Sequence, residues 1–397
     1  MTKEPFRSST ARLTGQLCVI ELVAWGVLYY AFSVYIVSIE DELGWSSAAV
    51  AAGFSVALLV SGVASPWVGD WIDRHGSRGL MTTATVIGVG GITLWSFAYT
   101  FPVYLGAWVL IGLAMAGVLY APAFATVVRF NPDKSRNGIL IITLVGALAS
   151  PIFLMLSSLL GEWLGWRGGL RVLAILLAIV IVPLTVLLPS TRATATLSRS
   201  SDTSTKKTPR SYWGLTSALM LVDLASVAVT VHLVVFLIQQ GQPDHTAASI
   251  AGLVGLAKIG GRLTTLIVSR VSAVMLLQAS VFTTAIALTL PQLWPTTWAA
   301  MLMVLVFGAA GGARTVLRPA VLVELYGSKR FGMKSGYQHL FSTIAKACGP
   351  VGFGVLLGFV GWTYAWSALA MIAAAGGAVL LLIRPPAKTL VPVVAVG

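Results

Sequence analysis

The sequence predicts an all-α membrane protein of twelve transmembrane helices in two pseudo-symmetric six-helix bundles. Three observations lead there. Of 397 residues, 57% are hydrophobic and only 10% are charged, against roughly 25% charged in a soluble domain. Apolar runs of about 20 residues, long enough to cross a bilayer, recur twelve times. One long polar segment divides six of these runs from six, and the two sets echo each other.

The runs lie near 15–38, 47–69, 79–98, 103–127, 138–160 and 168–188, then 213–238, 248–269, 272–290, 297–323, 336–359 and 363–383. Met1–Arg12 is polar and basic, and the run after it is long enough to span. It therefore reads as a first helix rather than a cleavable signal. Orientation follows lysine and arginine, which collect on the cytoplasmic side. Lys3, Arg7 and Arg12 precede span 1. Arg74 and Arg78, then Arg129, Lys134 and Arg136, then Arg192 to Arg210, Arg270, and Lys329, Arg330 and Lys334 occupy alternate loops. Arg384 and Lys388 follow span 12. The opposite loops hold Glu40, Asp41, Glu42, Glu162 and Asp244, with Arg167 as the main exception. Both termini are expected to be cytoplasmic, in a multi-pass protein of a bacterial inner membrane.

The polar segment, rich in Ser, Thr, Lys and Arg, cannot bury a core. It reads as a linker at 189–211 between bundles 1–188 and 212–397. Span 4 ends "YAPAFATVV" and span 10 carries "LRPAVLVEL", setting Pro122 opposite Pro319. "LGWRGGLRVLA" follows span 5 and "VGWTYAWSALA" follows span 11, pairing Trp166 with Trp362. Weak internal repeats of this kind mark six-plus-six transporters, whose substrate sits near the midplane between the halves.

Charge narrows the class. The net charge of +13 is spread over short loops with no basic arm, which argues against a nucleic-acid partner. Cys18 and Cys348 lie in apolar stretches and form no disulfide framework. No phosphate-binding G-x-x-x-x-G-K-[ST] loop and no His/Cys cluster occurs, so neither cofactor nor metal is expected. Neither a catalytic constellation nor a large extramembrane domain is present, which argues against an enzyme or receptor.

Five cations sit inside the apolar runs: Lys258, Arg262, Arg314, Arg318 and Lys346. Ionisable groups at bilayer depth are costly and mark a substrate or ion path. Lys258 and Arg262 are four apart on one helix face, where two cations repel unless an anion joins them. Only Glu21 and Asp223 are embedded acids. Each can carry a proton if burial favours its neutral form, and each can equally neutralise an arginine, Asp223 pairing with Arg262 being one such option. His232, toward the outer end of span 7, suits a proton relay, a substrate contact or plain packing. Arg318 and Arg314 lie toward the cytoplasmic end of span 10, near Glu324. Arg318 is expected at a vestibule or gate, and Arg314 at the edge of the site.

The loop after span 2 reads "GDWIDRHGSR", Gly69 to Arg78. It resembles the G-x-x-x-D-R-x-G-x-R signature of the major facilitator superfamily, which latches the cytoplasmic gate. Gly69 and Gly76 permit close approach and a tight turn. Asp73 can meet a helix amino terminus, and Arg74 and Arg78 can pair with acids. "WGVLYYAFSVYIVSIEDELGWS", "GVLYAPAFATVVRF", "LGWRGGL", "VHLVVFLIQQG" and "GLAKIGGRL" resemble the monocarboxylate-porter and oxalate/formate-antiporter branch. That resemblance implies that Arg262 pairs with a substrate carboxylate and that Lys346, in "IAKACGP", neutralises it. It also implies that Tyr120 donates to the anion. The chain departs from animal members at Lys258, where they carry aspartate, and at Val34, where they carry lysine. Their proton scheme cannot be transferred intact.

The expected activity is secondary active transport of a small organic anion, foremost a monocarboxylate, by alternating access in a monomer. Arg262, Lys346, Lys258, Tyr120 and Arg314 would bind the anion. Asp223, Glu21 and His232 are the candidates if protons are coupled. The alternative is efflux of a drug, metalloid or other toxic compound. Two antiporter marks of the superfamily are degraded: Trp108 stands where an arginine is usual, and "ASPIFL" replaces the G-P-x-x-G-G element.

Overall fold

The computed structural model describes residues 4–132, 135–189, 209–268 and 271–383. The expected linker 189–211 falls almost wholly outside them, as do Lys134, Arg270, Arg384 and Lys388. Every regular element among the described residues is helical.

Ten helices are long and apolar enough to cross a membrane, and two of them, Ser135–Val186 and Phe331–Leu381, run to 52 and 51 residues. A straight helix of that length would reach about 75 Å, more than twice the hydrocarbon core. Each instead turns at one glycine. Gly165 has φ 67° and ψ 166°, and Gly361 has φ 75° and ψ 173°. That backbone region is essentially closed to residues with a Cβ. Two merged helices therefore supply four crossings, which makes twelve among the described residues.

The crossings are α1 (Glu4–Trp25 continuing through Gly26–Tyr30 to Ala31–Leu43), α2 (Ser47–His75), α3 (Arg78–Ser96) and α4 (Phe101–Val118 then Tyr120–Phe130). Then come α5 (135–164), α6 (166–186), α7 (Arg210–Gln239), α8 (Asp244–Ile267), α9 (Ala273–Leu293), α10 (Thr297–Tyr326), α11 (331–360) and α12 (362–381).

The chain direction confirms the reversals. Along α5, Gly138 lies beside Thr14 and Gly26 beside Phe153, and the Trp166 indole then donates to Glu42 at 2.6 Å. Beyond Gly165 the path returns, Gly169 meeting Tyr35 and Leu177 meeting Leu28 over Gly88. The second half repeats this on α7. Ser342 bonds Asp223 and Phe353 meets His232 at 4.7 Å. Beyond Gly361, Trp366 stacks on Phe236 at 3.6 Å and Gly376 lies against Ala218. The α5–α6 pair thus clasps α1 as the α11–α12 pair clasps α7. The Trp166/Trp362 echo is a repeat of backbone geometry.

The proline echo is less symmetric. α4 breaks at Leu119, whose ψ is −168°, three residues before Pro122. Pro122 cannot donate to the residue 118 carbonyl, and its ring crowds that turn. Pro319 sits inside an unbroken α10. The break makes Tyr120 the first residue of a new helical segment. α1 also departs from α geometry, widening to a π turn over Gly26–Tyr30, a feature frequent at functional sites.

Candidate functional site: a cationic wall between two bundles

Small residues bring α8 and α10 into backbone contact and so fix the wall. A Cβ on Gly312 would lie 2.0 Å from the Lys258 carbonyl oxygen, and one on Gly261 would lie 1.8 Å from that of Ala309. Such approach is the usual device for packing membrane helices. It sets Lys258 and Arg262 on one face, with the Lys258 stem passing over Gly311.

Arg262 reaches across to the other half, where Nη1 donates to the Thr143 carbonyl of α5 at 2.6 Å. Its Nε is buried and has no acceptor. Lys258 lies within electrostatic reach of Arg262, Arg314 and Lys346. Lys346 is accessible and lies near Asp223 and Arg318. Repulsion among these cations is only partly relieved. Asp223, 8% exposed, accepts from Arg318 Nη2 at 2.7 Å and from the Ser342 hydroxyl.

Asp223 thus pairs with Arg318, on α10, and not with Arg262. Arg318 lies inside the wall, so its guanidinium does not reach the latch around Asp73. Glu324 instead accepts from the Ser272 hydroxyl and from the Ala273 N–H, capping α9. Arg314, 6% exposed, donates to the Ser280 carbonyl at 3.3 Å, to the Thr284 hydroxyl and to the Ser226 hydroxyl at 3.0 Å. These neutral acceptors hold the arginine without cancelling its charge.

The facing wall belongs to α1 and α4. The Tyr120 hydroxyl lies over Gly146, where a Cβ would come within 2.5 Å of it. Tyr120 and Tyr30 are both within electrostatic reach of Arg262. Glu21 is fully buried, beside Tyr120 and Cys18, and neither carboxylate oxygen has a hydrogen-bond partner. An orphaned buried carboxylate calls for an explanation. His232 Nδ1 lies 3.0 Å from the Ala228 carbonyl of its own helix, with its ring against Phe353.

At the end bearing the Gly69–Arg78 motif, the halves are locked together. Asp73 accepts from the Gly332 N–H at 3.0 Å and the Met333 N–H at 2.8 Å, satisfying the orphan amides of the α11 amino terminus. A Cβ on Gly69 would lie 2.0 Å from the Gly332 carbonyl oxygen. Gly76 has φ 86° and ends α2. Arg74 pairs with Asp70 of its own helix at 2.9 Å, and Arg78 is exposed. Arg129 donates to the Ile72 and Asp73 carbonyls at 2.8 and 2.6 Å. Farther up, Gly336 lies against the Ser65 carbonyl and Gly62 against Thr343. On the second seam, Arg136 donates to the carbonyls of Val271 and Thr265 at 3.2 and 3.3 Å.

Sequence alone does not single out Arg129 and Arg136 at the seams, Ser226, Thr284 and Ser342 as partners of the embedded charges, or the Trp25, Tyr29 and Tyr30 ring cluster. Polar aromatics inside an apolar run were the one available signal.

Two six-helix bundles, with matching helix pairs around α1 and α7, define a membrane-transporter architecture. The Major Facilitator Superfamily model matches residues 17–277, and the chain belongs to that family. A crystal structure of the transporter FucP in the outward conformation superimposes with a TM-score of 0.72 at 13% identity, covering 94% of this chain and 99% of that one. The human organic anion transporter MFSD10 superimposes with a TM-score of 0.71 at 14% identity, over 95% and 100%. In sequence, an uncharacterized 38 kDa protein of Thermoproteus tenax is 29% identical over 217 residues, 54% of this chain and 56% of that protein. The oxalate:formate antiporter of Oxalobacter formigenes is 28% identical over 105 residues, 26% of this chain and 25% of that protein. The chain thus spans about half, and a quarter, of the length of these relatives.

Proposed function

We propose that this protein transports a small organic anion, foremost a monocarboxylate, by rocking its two halves about the wall of Lys258, Arg262 and Lys346. The observation that carries this reading is the Arg262 guanidinium, lodged among cations with its Nε unpartnered. A carboxylate supplies what the group lacks, since it accepts a planar two-bond fork and cancels charge. Tyr120 orients the anion from the opposite wall, and Arg314 adds field from behind. The names of two similar proteins, an oxalate:formate antiporter and an organic anion transporter, support the same substrate class. Excess positive charge disfavours efflux of a neutral or cationic compound.

With positive residues inside, the locked end is cytoplasmic, and the anion would enter from the other side of an inner membrane. The cytoplasmic latch is Gly69, Asp73, Gly76 and Arg129, with Arg74 and Arg78 on its rim. The site lies within one chain, which suits a monomer. Of the acids, Glu21 is the better proton carrier, because Asp223 is already committed to Arg318. His232 is a secondary candidate.

The test is uptake and thermal-shift binding of carboxylates in proteoliposomes, with Arg262→Ala alongside. Wild type should bind and the variant should lose most of its affinity. Equal binding by the two, or no anion binding at all, would overturn the reading.

A further inference from the structure

The wall facing the cations is aromatic, and its form says which anion fits. At the π turn, consecutive residues Tyr29 and Tyr30 join one ring cluster. Trp25 lies 5.0 Å from Tyr29 and 6.3 Å from Tyr30, and Tyr29 lies 5.2 Å from Tyr30. The cluster reaches α4 through Trp25 and Tyr120 at 5.0 Å, and Phe124 stacks on Tyr120 at 5.2 Å. Phe54 of α2 closes it edge-on to Tyr29 at 4.9 Å.

Trp25, Tyr29 and Tyr120 pack against the core but are not sealed inside it. The core tyrosines Tyr35, Tyr104 and Tyr212 are each about 1% exposed or less, and their hydroxyls donate to the carbonyls of Ser157, Val50 and Lys334. Trp25, Tyr29, Tyr30 and Tyr120 are only half-buried. Among the described residues, the hydroxyls of these three tyrosines make no hydrogen bond. Tyr30 and Tyr120 lie within electrostatic reach of Arg262, so the aromatic cluster borders the cationic one.

We infer that the preferred substrate is an aryl carboxylate, its carboxylate on Arg262 and its ring against Trp25, Tyr30 and Tyr120. The inference rests on the anion reading above and narrows it. A flat ring gains offset-stacked or edge-to-face contacts with these side chains. Formate or acetate would leave the rings without a partner.

The experiment measures binding to the full-length protein in nanodiscs by calorimetry, with benzoate, cyclohexanecarboxylate and acetate as probes. Benzoate should bind about tenfold or more tighter than acetate, and several-fold tighter than cyclohexanecarboxylate. Tyr30→Ala should shrink the preference for benzoate over acetate about tenfold, with a melting temperature confirming that the variant is folded. Acetate binding as tightly as benzoate overturns this inference and leaves the anion reading intact. Equal binding of cyclohexanecarboxylate removes the aromatic requirement alone. Failure of all three probes removes both readings. The wild-type comparison decides the matter even if Tyr30→Ala does not fold.

Discussion

Arg262 on α8 donates to the Thr143 carbonyl on α5 at 2.6 Å, so one guanidinium serves both as an inter-bundle tie and as the proposed anion ligand. A carboxylate that draws this group away from Thr143 loosens the seam between the halves. Binding and opening then share one side chain, and a ligand can shift a two-state equilibrium only through such differential contacts. Arg262→Lys should keep the charge and lose the fork. We expect anion affinity to fall about tenfold or more, read by calorimetry. A lysine variant that binds as well as wild type would show that charge alone suffices.

Asp73 is the latch. Removing its carboxylate in Asp73→Ala leaves two amides of α11 without their charge-assisted partner. The closed-to-open ratio at that end should drop by a factor of about 10 to 100. Spin labels at the ends of α2 and α11 report this as a longer distance population. An unchanged distribution would mean that the glycine contacts at Gly69 and Gly336 suffice to hold the gate.

The contact of Asp73 with a helix amino terminus was legible in the sequence because the motif's parts are local: two glycines, an acid and a base at fixed spacing between two apolar runs. The twelve crossings and the Trp166/Trp362 repeat were legible for the same reason, since hydropathy and turn residues are read within one window. The partner of Asp223 was not. Arg318 is 95 residues away and Arg262 is 39, and only the fold, which lets the long Arg318 side chain of α10 reach α7, decides between them. Pro122 and Pro319 stand at matching places, yet one interrupts its helix and the other does not. The π turn in α1 left no mark in composition, so the aromatic wall stayed hidden.

The two embedded acids should respond differently to neutralisation. Asp223→Asn leaves the half-buried Arg318 without its charge partner, which costs up to about 3 kcal/mol and should lower the melting temperature clearly. Glu21→Gln removes a carboxylate with no ionic partner, beside the Trp25 indole, and should cost much less stability. The same pair of melting curves therefore separates structural from titrating acid. A large loss of stability in Glu21→Gln would contradict this division.

If Glu21 carries the coupled proton, Glu21→Gln should still bind the anion, while its transport becomes indifferent to an imposed pH gradient. The Gln side chain mimics the protonated acid in shape and charge, so the neutral state is permanently present and no proton is released. A pH-jump across proteoliposome membranes checks this against wild type, with counterflow exchange at equal pH as the control for a working site. Gradient-driven accumulation that survives in Glu21→Gln would pass the role to another group, His232 first.

The reversal points offer the last test, and it concerns the fold rather than the chemistry. Gly165 and Gly361 hold φ of 67° and 75° with ψ near the extended limit, a conformation costing a residue with a Cβ about 1–3 kcal/mol. No neighbouring atom lies within 4 Å of a Cβ built at either position. The penalty of Gly165→Ala or Gly361→Ala is therefore backbone strain, free of steric clash. The two variants should lose similar stability, because the two halves place the same turn at the same point of the same repeat. Thermal unfolding in detergent measures both. Markedly unequal losses would mean that the shared backbone angles do not reflect a shared energetic role.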